Sequence, residues 1–110
     1  MEVTIKDLEA YLLHNYSGWA SEQSLFMKLI EEIGEVAETL NMRSGRKKAD
    51  GEDMHAQLSN ELADVIHYTV AIAAINGIDL SRTIIEKDKQ ASVKYHHDTN
   101  LESFIADSKE

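Results

Sequence analysis

This 110-residue chain contains no cysteine and no proline, and it has only five glycines. Without cysteine it has no disulfide framework, no thiolate metal site and no cysteine nucleophile, so it suits a reducing compartment. The lack of proline, the scarcity of glycine and the few alternating β-branched runs favour helices with short connections over a sheet, and an all-α fold is expected. The longest apolar run, residues 65 to 75, is too short to span a bilayer and is broken by His67, Tyr68 and Thr69. The amino terminus, MEVTIKDLEAYL, has no basic segment leading into an apolar one, so a soluble, cytoplasmic protein with no membrane partner is expected. Positive charge is also scarce: 11 Lys and Arg stand against 20 Asp and Glu, a formal net charge of −9. That balance argues against a nucleic-acid partner and requires any phosphate-bearing ligand to bring cations with it.

What is present reads as one helical domain, residues 1 to 110, with room for a single core and a reason to associate with its own copies. Thr4 and Asp7 have the spacing of a capping box, with Val3 and Leu8 placed as a hydrophobic staple, and predict a first helix over residues 5 to 14. A loop over 15 to 21 then carries Trp19. The second helix, residues 22 to 42, has a core stripe of Leu25, Leu29, Ile33, Val36 and Leu40, widened by Phe26, Ile30 and Ala37. Residues 43 to 53, RSGRKKADGED, have no hydrophobic period and read as a loop. The third helix, residues 54 to 76, begins amphipathic at Leu58 and Leu62 and becomes apolar nearly all round, which implies burial on several sides by other helices or a second subunit. Gly77 fits its C-cap, and Asp79 or Ser81 caps a fourth helix over 80 to 96 with Ile84, Ile85, Ala91 and Tyr95 turned inward. Leu101, Phe104 and Ile105 mark a short fifth helix or a subunit contact.

The chemistry lies in the acids. In MKLIEEIGEVAETL, residues 27 to 40, Glu31 and Glu35 are like charges at i,i+4, and Gly34 costs roughly 1 kcal/mol against alanine in a helix interior. Such local conflicts mark functional or strained sites. At 100° per residue Glu32 falls beside the apolar stripe, Lys28 and Glu35 follow on the same flank, and Glu31 and Glu38 lie toward solvent. Glu61 and Asp64 share a face of the third helix that continues through Tyr68, Ile72 and Ile75, which places them at the edge of a core. If the two helices pack antiparallel, the pairs converge, and carboxylates at close range repel unless protonated or neutralised. An all-oxygen donor set suits Mg²⁺ or Mn²⁺, which implies phosphate chemistry.

The spacing Glu31-Glu32-x-x-Glu35 followed by Glu61-x-x-Asp64 resembles the EExxE and ExxD pattern of the MazG-like all-α nucleoside triphosphate pyrophosphohydrolases. Gly18-Trp19, LIEEIGEVAETL, ELADVIHY, GIDL and a following helix with Lys87 extend the likeness over residues 18 to 95. The resemblance implies a four-helix core completed by oligomerisation, as a homodimer or a dimer of dimers. It also implies Mg²⁺-dependent hydrolysis of a nucleoside triphosphate to the monophosphate and pyrophosphate. By motif position Glu32, Glu35, Glu61 and Asp64 become metal ligands, and Glu31 either orients the attacking water or is simply solvated. The family pattern Lys-x-x-x-Asn-x-x-Arg reads here Lys87, Ala91 and Lys94, so Lys87 and Lys94 either contact phosphates as point charges or are surface lysines. Trp19 either stacks on the base or anchors a core. Arg43, Arg46, Lys47 and Lys48 lie between the acidic helices, within reach of a triphosphate if that loop closes. Gly34 gains a reason if a neighbouring helix or the metal cluster approaches its backbone.

Alternatives remain: phosphoribosyl-ATP pyrophosphohydrolase, which shares the fold; a ferritin-like iron site, disfavoured by the shortage of Glu-x-x-His; and a non-catalytic helical interaction module. Asp64-x-x-His67 and Glu52-x-x-His55 have ligand-like spacing, but core or surface histidines are the simpler reading.

Overall fold

The computed structural model describes residues 1–45 and 53–109. Five α-helices follow in order, with no strand among the described residues: α1 (Ile5–Tyr16), α2 (Glu22–Arg43), α3 (Met54–Ile75), α4 (Leu80–Lys94) and α5 (Leu101–Ser108). The all-α expectation holds, and the short fifth helix is formed. The chain divides into two compact units, Met1–Ile78 and Asp79–Glu110.

Every helix starts on a side-chain cap. Thr4 accepts from the Asp7 amide at 3.0 Å, Ser21 from Ser24 at 3.1 Å, and Asp53 from both His55 and Ala56 at 3.1 Å. Asp79 accepts from Arg82 at 3.1 Å and Asn100 from Ser103 at 2.9 Å. Each cap satisfies an amide that the first turn leaves without a partner, an effect of about 1 kcal/mol. At the far end of α3, Gly77 adopts φ +67°, its amide donates to the Ala74 carbonyl at 3.2 Å, and that of Ile78 donates to Ala73 at 3.0 Å. These two bonds make the Schellman stop that the glycine predicts.

In the first unit α2 and α3 run antiparallel. The Asn76 side chain donates to Glu22 at one end of the seam, at 3.1 Å, and Thr39 meets Glu61 at the other. α1 packs on α3. The core is Leu12 of α1, Leu25 of α2, and Val70, Ala71, Ala73 and Ala74 of α3. The small alanines let the neighbouring helices close on α3, which is the centre of this unit. In the second unit the Asp88 carboxylate accepts from the Leu101 amide at 2.6 Å, and Lys89 pairs with Glu102 at 2.9 Å, fastening α5 to α4.

Several boundaries and faces differ from expectation. α1 runs on to Tyr16, whose hydroxyl is held from α3. α4 stops at Lys94 because His96 takes φ +57° and the His97 amide returns to the Ser92 carbonyl at 2.9 Å. Tyr95 and Ile84 are exposed rather than turned inward. On α2 the inward row is Leu25 and Thr39, buried, with Leu29, Glu32 and Val36 half-buried between them, while Phe26, Ile30, Ile33 and Leu40 stay about half open to solvent. The apolar arc is wider than α3 can cover, so half of the expected core stripe is surface. Among the described residues no helix is long and apolar enough to cross a membrane.

At Gly34 a Cβ meets nothing within 4 Å, so no neighbouring helix among the described residues needs its absent side chain. Gly34→Ala is therefore expected to raise the stability of the protein by about 1 kcal/mol, the helix-propensity difference. Urea unfolding measures this, and a lowered midpoint would mean that another surface rests on Gly34.

Candidate active site

The antiparallel register carries the acidic turns of α2 and α3 past each other. Glu32 on α2 is half-buried, and its Oε2 atom is buried with no hydrogen-bond partner among the described residues. Burial, then hydrogen-bonding contact with and repulsion from Glu35, then repulsion from Asp64 and Glu31, push its carboxyl above the ordinary carboxylate value. Two ionised carboxylates only accept, so the contact with Glu35 becomes a hydrogen bond only when one of them holds a proton. Glu31 and Glu35 on the same helix, and Asp64 from across the seam, thus each act electrostatically on Glu32.

Glu61 lies deeper than the core-edge position expected of it, at 8 % exposure. Its Oε1 accepts from the Thr39 hydroxyl at 2.6 Å, and its Oε2 accepts from Gln57 Nε2 at 3.4 Å. Asp64 and Glu35 are exposed, so Glu35 adjoins Glu32 from the solvent side rather than from a semi-buried pocket. Glu31 is exposed and pairs with Lys28 at 3.4 Å. The bonded carboxylate beside it raises the Lys28 ammonium above its ordinary value. A surface pair of this kind contributes little stability and is free to exchange partners.

Among the described residues no group of three or more acidic or histidine side chains is already drawn into a metal cage. The donor chemistry nevertheless fits a hard divalent cation: a carboxylate oxygen stripped of water with no donor facing it, flanked by further carboxylates, lacks only a positive charge.

One turn away from the acids opens a cleft of about 470 Å³ lined by Tyr16, Trp19, Ser21, Ser24, Lys28 and Tyr68. Lys28 precedes Glu32 by one turn and Tyr68 follows Asp64 by one, so the cleft adjoins the carboxylates along the same seam. Trp19 is 73 % exposed, which excludes the core-anchor reading. Its indole N–H donates to the Asn15 carbonyl at 2.7 Å, and its ring lies 5.5 Å from that of Tyr16. The Tyr16 hydroxyl shares a 2.8 Å hydrogen bond with His67 Nε2, which accounts for this histidine without a metal. Burial, with Tyr68 and Tyr11 nearby, pushes the Tyr16 phenol up, so it stays neutral at ordinary pH.

Lys87 and Lys94 are exposed on α4 in the second unit, Lys94 with its ammonium 5.3 Å from the centre of the Tyr95 ring. Arg43 is exposed at the end of α2, while Arg46, Lys47, Lys48 and Glu52 lie outside the described residues. Thr39, Gln57 and Tyr16 are the site neighbours that spacing did not single out. Thr39 carries a signal nonetheless, because it stands three residues after Val36 and seven after Glu32, a polar residue in line with the inward row.

Residues 20–95 match the MazG nucleotide pyrophosphohydrolase domain. The chain is 30 % identical over 82 residues to the uncharacterized protein YpjD of Bacillus subtilis (strain 168), covering 71 % of this chain and 72 % of that one. It is 37 % identical over 68 residues to dCTP pyrophosphatase 1 of Rattus norvegicus, which spans 59 % of this chain but only 40 % of the rat protein. The crystal structure of iMazG from Vibrio DAT 722 superposes with a TM-score of 0.62 at 30 % identity, covering 84 % of this chain and 98 % of that one. The chain belongs to the MazG family and is a nucleotide pyrophosphohydrolase.

The raised Glu32 carboxyl has a sign that can be measured. The folded state favours its protonated form, so the associated stability is complete below the ordinary carboxylate value and is lost as pH rises through the raised one. In metal-free buffer Glu32→Gln, permanently neutral, is expected to melt higher than the parent at pH 7. That gap should close as the buffer is acidified, as read by circular dichroism melts from pH 7 to pH 3.5.

Proposed function

We propose that the protein hydrolyses a nucleoside triphosphate to the monophosphate and pyrophosphate, with Mg²⁺ as cofactor and Mn²⁺ able to replace it. The observation that carries this reading is the buried, unpartnered Glu32 oxygen among Glu31, Glu35 and Asp64. Glu32, Glu35, Glu61 and Asp64 hold the cation, and Glu31, exposed at the edge of the cluster, orients the attacking water and takes its proton. Bound Mg²⁺ supplies positive charge against the phosphate oxygens and makes water a better nucleophile at neutral pH. Water attacks the α-phosphorus, the α–β anhydride bond breaks, and its electron pair leaves with pyrophosphate.

The cleft receives the nucleoside, with Trp19 as the stacking surface and Tyr16 and Tyr68 as walls. Lys28, at the junction of cleft and acids, exchanges Glu31 for a phosphate oxygen. The two compact units belong to one functional domain, a reading supported by the family match running through both. We place the reaction in the cytoplasm, where nucleoside triphosphates are plentiful.

The half-open apolar residues Phe26, Ile30, Ile33 and Leu40 of α2, with Leu62 and Ile66 of α3, support a homodimer or a dimer of dimers. Sedimentation equilibrium is expected to give two or four chains per particle, and Ile33→Asp should shift the mass toward one. A monomeric parent protein would contradict this assembly.

A pyrophosphate-release screen over canonical and modified NTPs and dNTPs, with and without Mg²⁺, tests the activity, and dCTP is the first substrate to try given the rat relative. Turnover is expected only with metal. Glu35→Gln and Asp64→Asn should each lower kcat at least about 100-fold with unchanged helicity. Full activity in both variants would remove the four-carboxylate site.

A further inference from the structure

Thr39 is fully buried, at 0 % exposure, toward the C-terminal end of α2. A threonine inside a helix ordinarily returns its hydroxyl proton to the carbonyl four residues back. Two threonines of this chain do so: Thr69 donates to the Val65 carbonyl at 2.7 Å and Thr83 to that of Asp79 at 3.0 Å. Thr39 instead crosses to α3 and donates to Glu61 Oε1 at 2.6 Å, a length typical of a hydroxyl bound to an ionised carboxylate. Gln57, one turn before Glu61 on the same helix, donates more weakly to Oε2 at 3.4 Å.

We propose that Thr39 is a positioning residue for Glu61, fixing the orientation of this carboxylate so that its free lone pairs serve the metal; this rests on the four-carboxylate reading above. A buried carboxylate needs a donor to remain ionised, and a single hydroxyl uses only one of its lone-pair positions. The carboxylate is thereby held without being consumed. Outer donors of this kind set both the angle and the affinity of a ligand, and removing one typically costs about 10-fold to 100-fold in metal affinity. Glu32, by contrast, is half-buried and its Oε2 has no donor among the described residues, so of these two acids only Glu61 is held in place before the cation arrives.

The test is Mn²⁺ binding to nucleotide-free protein by calorimetry, with pyrophosphate-release kinetics alongside. Thr39→Val removes the hydroxyl at nearly constant volume, Thr39→Ala removes it without the valine branch should valine disturb the helix pair, and Thr39→Ser keeps it. Val or Ala is expected to weaken Mn²⁺ about 10-fold or more and to raise the metal concentration for half-maximal rate in parallel, leaving KM for nucleotide at saturating metal nearly unchanged. Serine should restore metal binding to within about 3-fold of the parent, less than one donor is worth. Parent-like Mn²⁺ affinity in the Val and Ala variants, with Glu61→Gln losing it, would overturn the proposal while leaving the four-carboxylate site intact. A serine variant as impaired as alanine would also overturn it, since volume rather than the hydroxyl would then matter. Undiminished binding in Glu61→Gln would remove the underlying site and the proposal with it.

Discussion

The carboxylates between α2 and α3 sit where two requirements compete. A helix pair closes by excluding water, whereas carboxylates at close range need water, protons or cations to offset their repulsion. Along this seam the requirement is met differently at each acid. Glu61 has the Thr39 hydroxyl and the Gln57 amide, Glu31 has Lys28, and Glu32 is left with a buried oxygen and no donor among the described residues. In the proposed function that unmet need is what a divalent cation would satisfy, and such a cation is also the partner an anionic triphosphate requires.

The rest of the first unit serves to hold this seam in register. Caps fix where α2 and α3 begin, the Gly77 stop fixes where α3 ends, and Asn76 ties that end to Glu22 at the start of α2. Alanines at 71, 73 and 74 bring the neighbouring helices close to α3. The same register sets Lys28 and Tyr68 one turn from the acids, where Tyr16 and Trp19 complete a cleft of nucleoside size. Tyr16 is held there by His67, which links α1 to the same face of α3.

Much of this was legible in the sequence because it depends on local rules. Capping residues, the glycine stop and the 3.6-residue period located the first four helices to within two residues, the largest differences falling where Tyr16 meets His67 and where His96 turns left-handed, while the fifth segment was legible only as a short helix or a subunit contact. The acid spacing put Glu32 and Asp64 on facing helices, and the structure brings them within electrostatic reach. Burial depth was less legible, because it depends on how much of a wide apolar arc its neighbours cover. Ile33 and Leu40 have the same periodic claim to the core as Leu25 and Val36, yet they stay open to solvent. Thr39 was passed over because a threonine on a helix has no intrinsic preference for a partner 22 residues away; only the antiparallel register supplies Glu61. Gly34 suggested the close approach of a neighbouring helix or a metal cluster, and among the described residues no helix approaches it.

The central claim is that electrostatic strain at Glu32 is what the cation relieves. The most direct measurement is the melting temperature of the parent and of Glu32→Gln at neutral pH, first with chelator and then with millimolar Mg²⁺ or Mn²⁺. The account predicts that the order inverts: the amide is the more stable without metal, and the parent with it. An unchanged order on adding metal would mean that the acids of this seam do not hold a cation and would contradict the account.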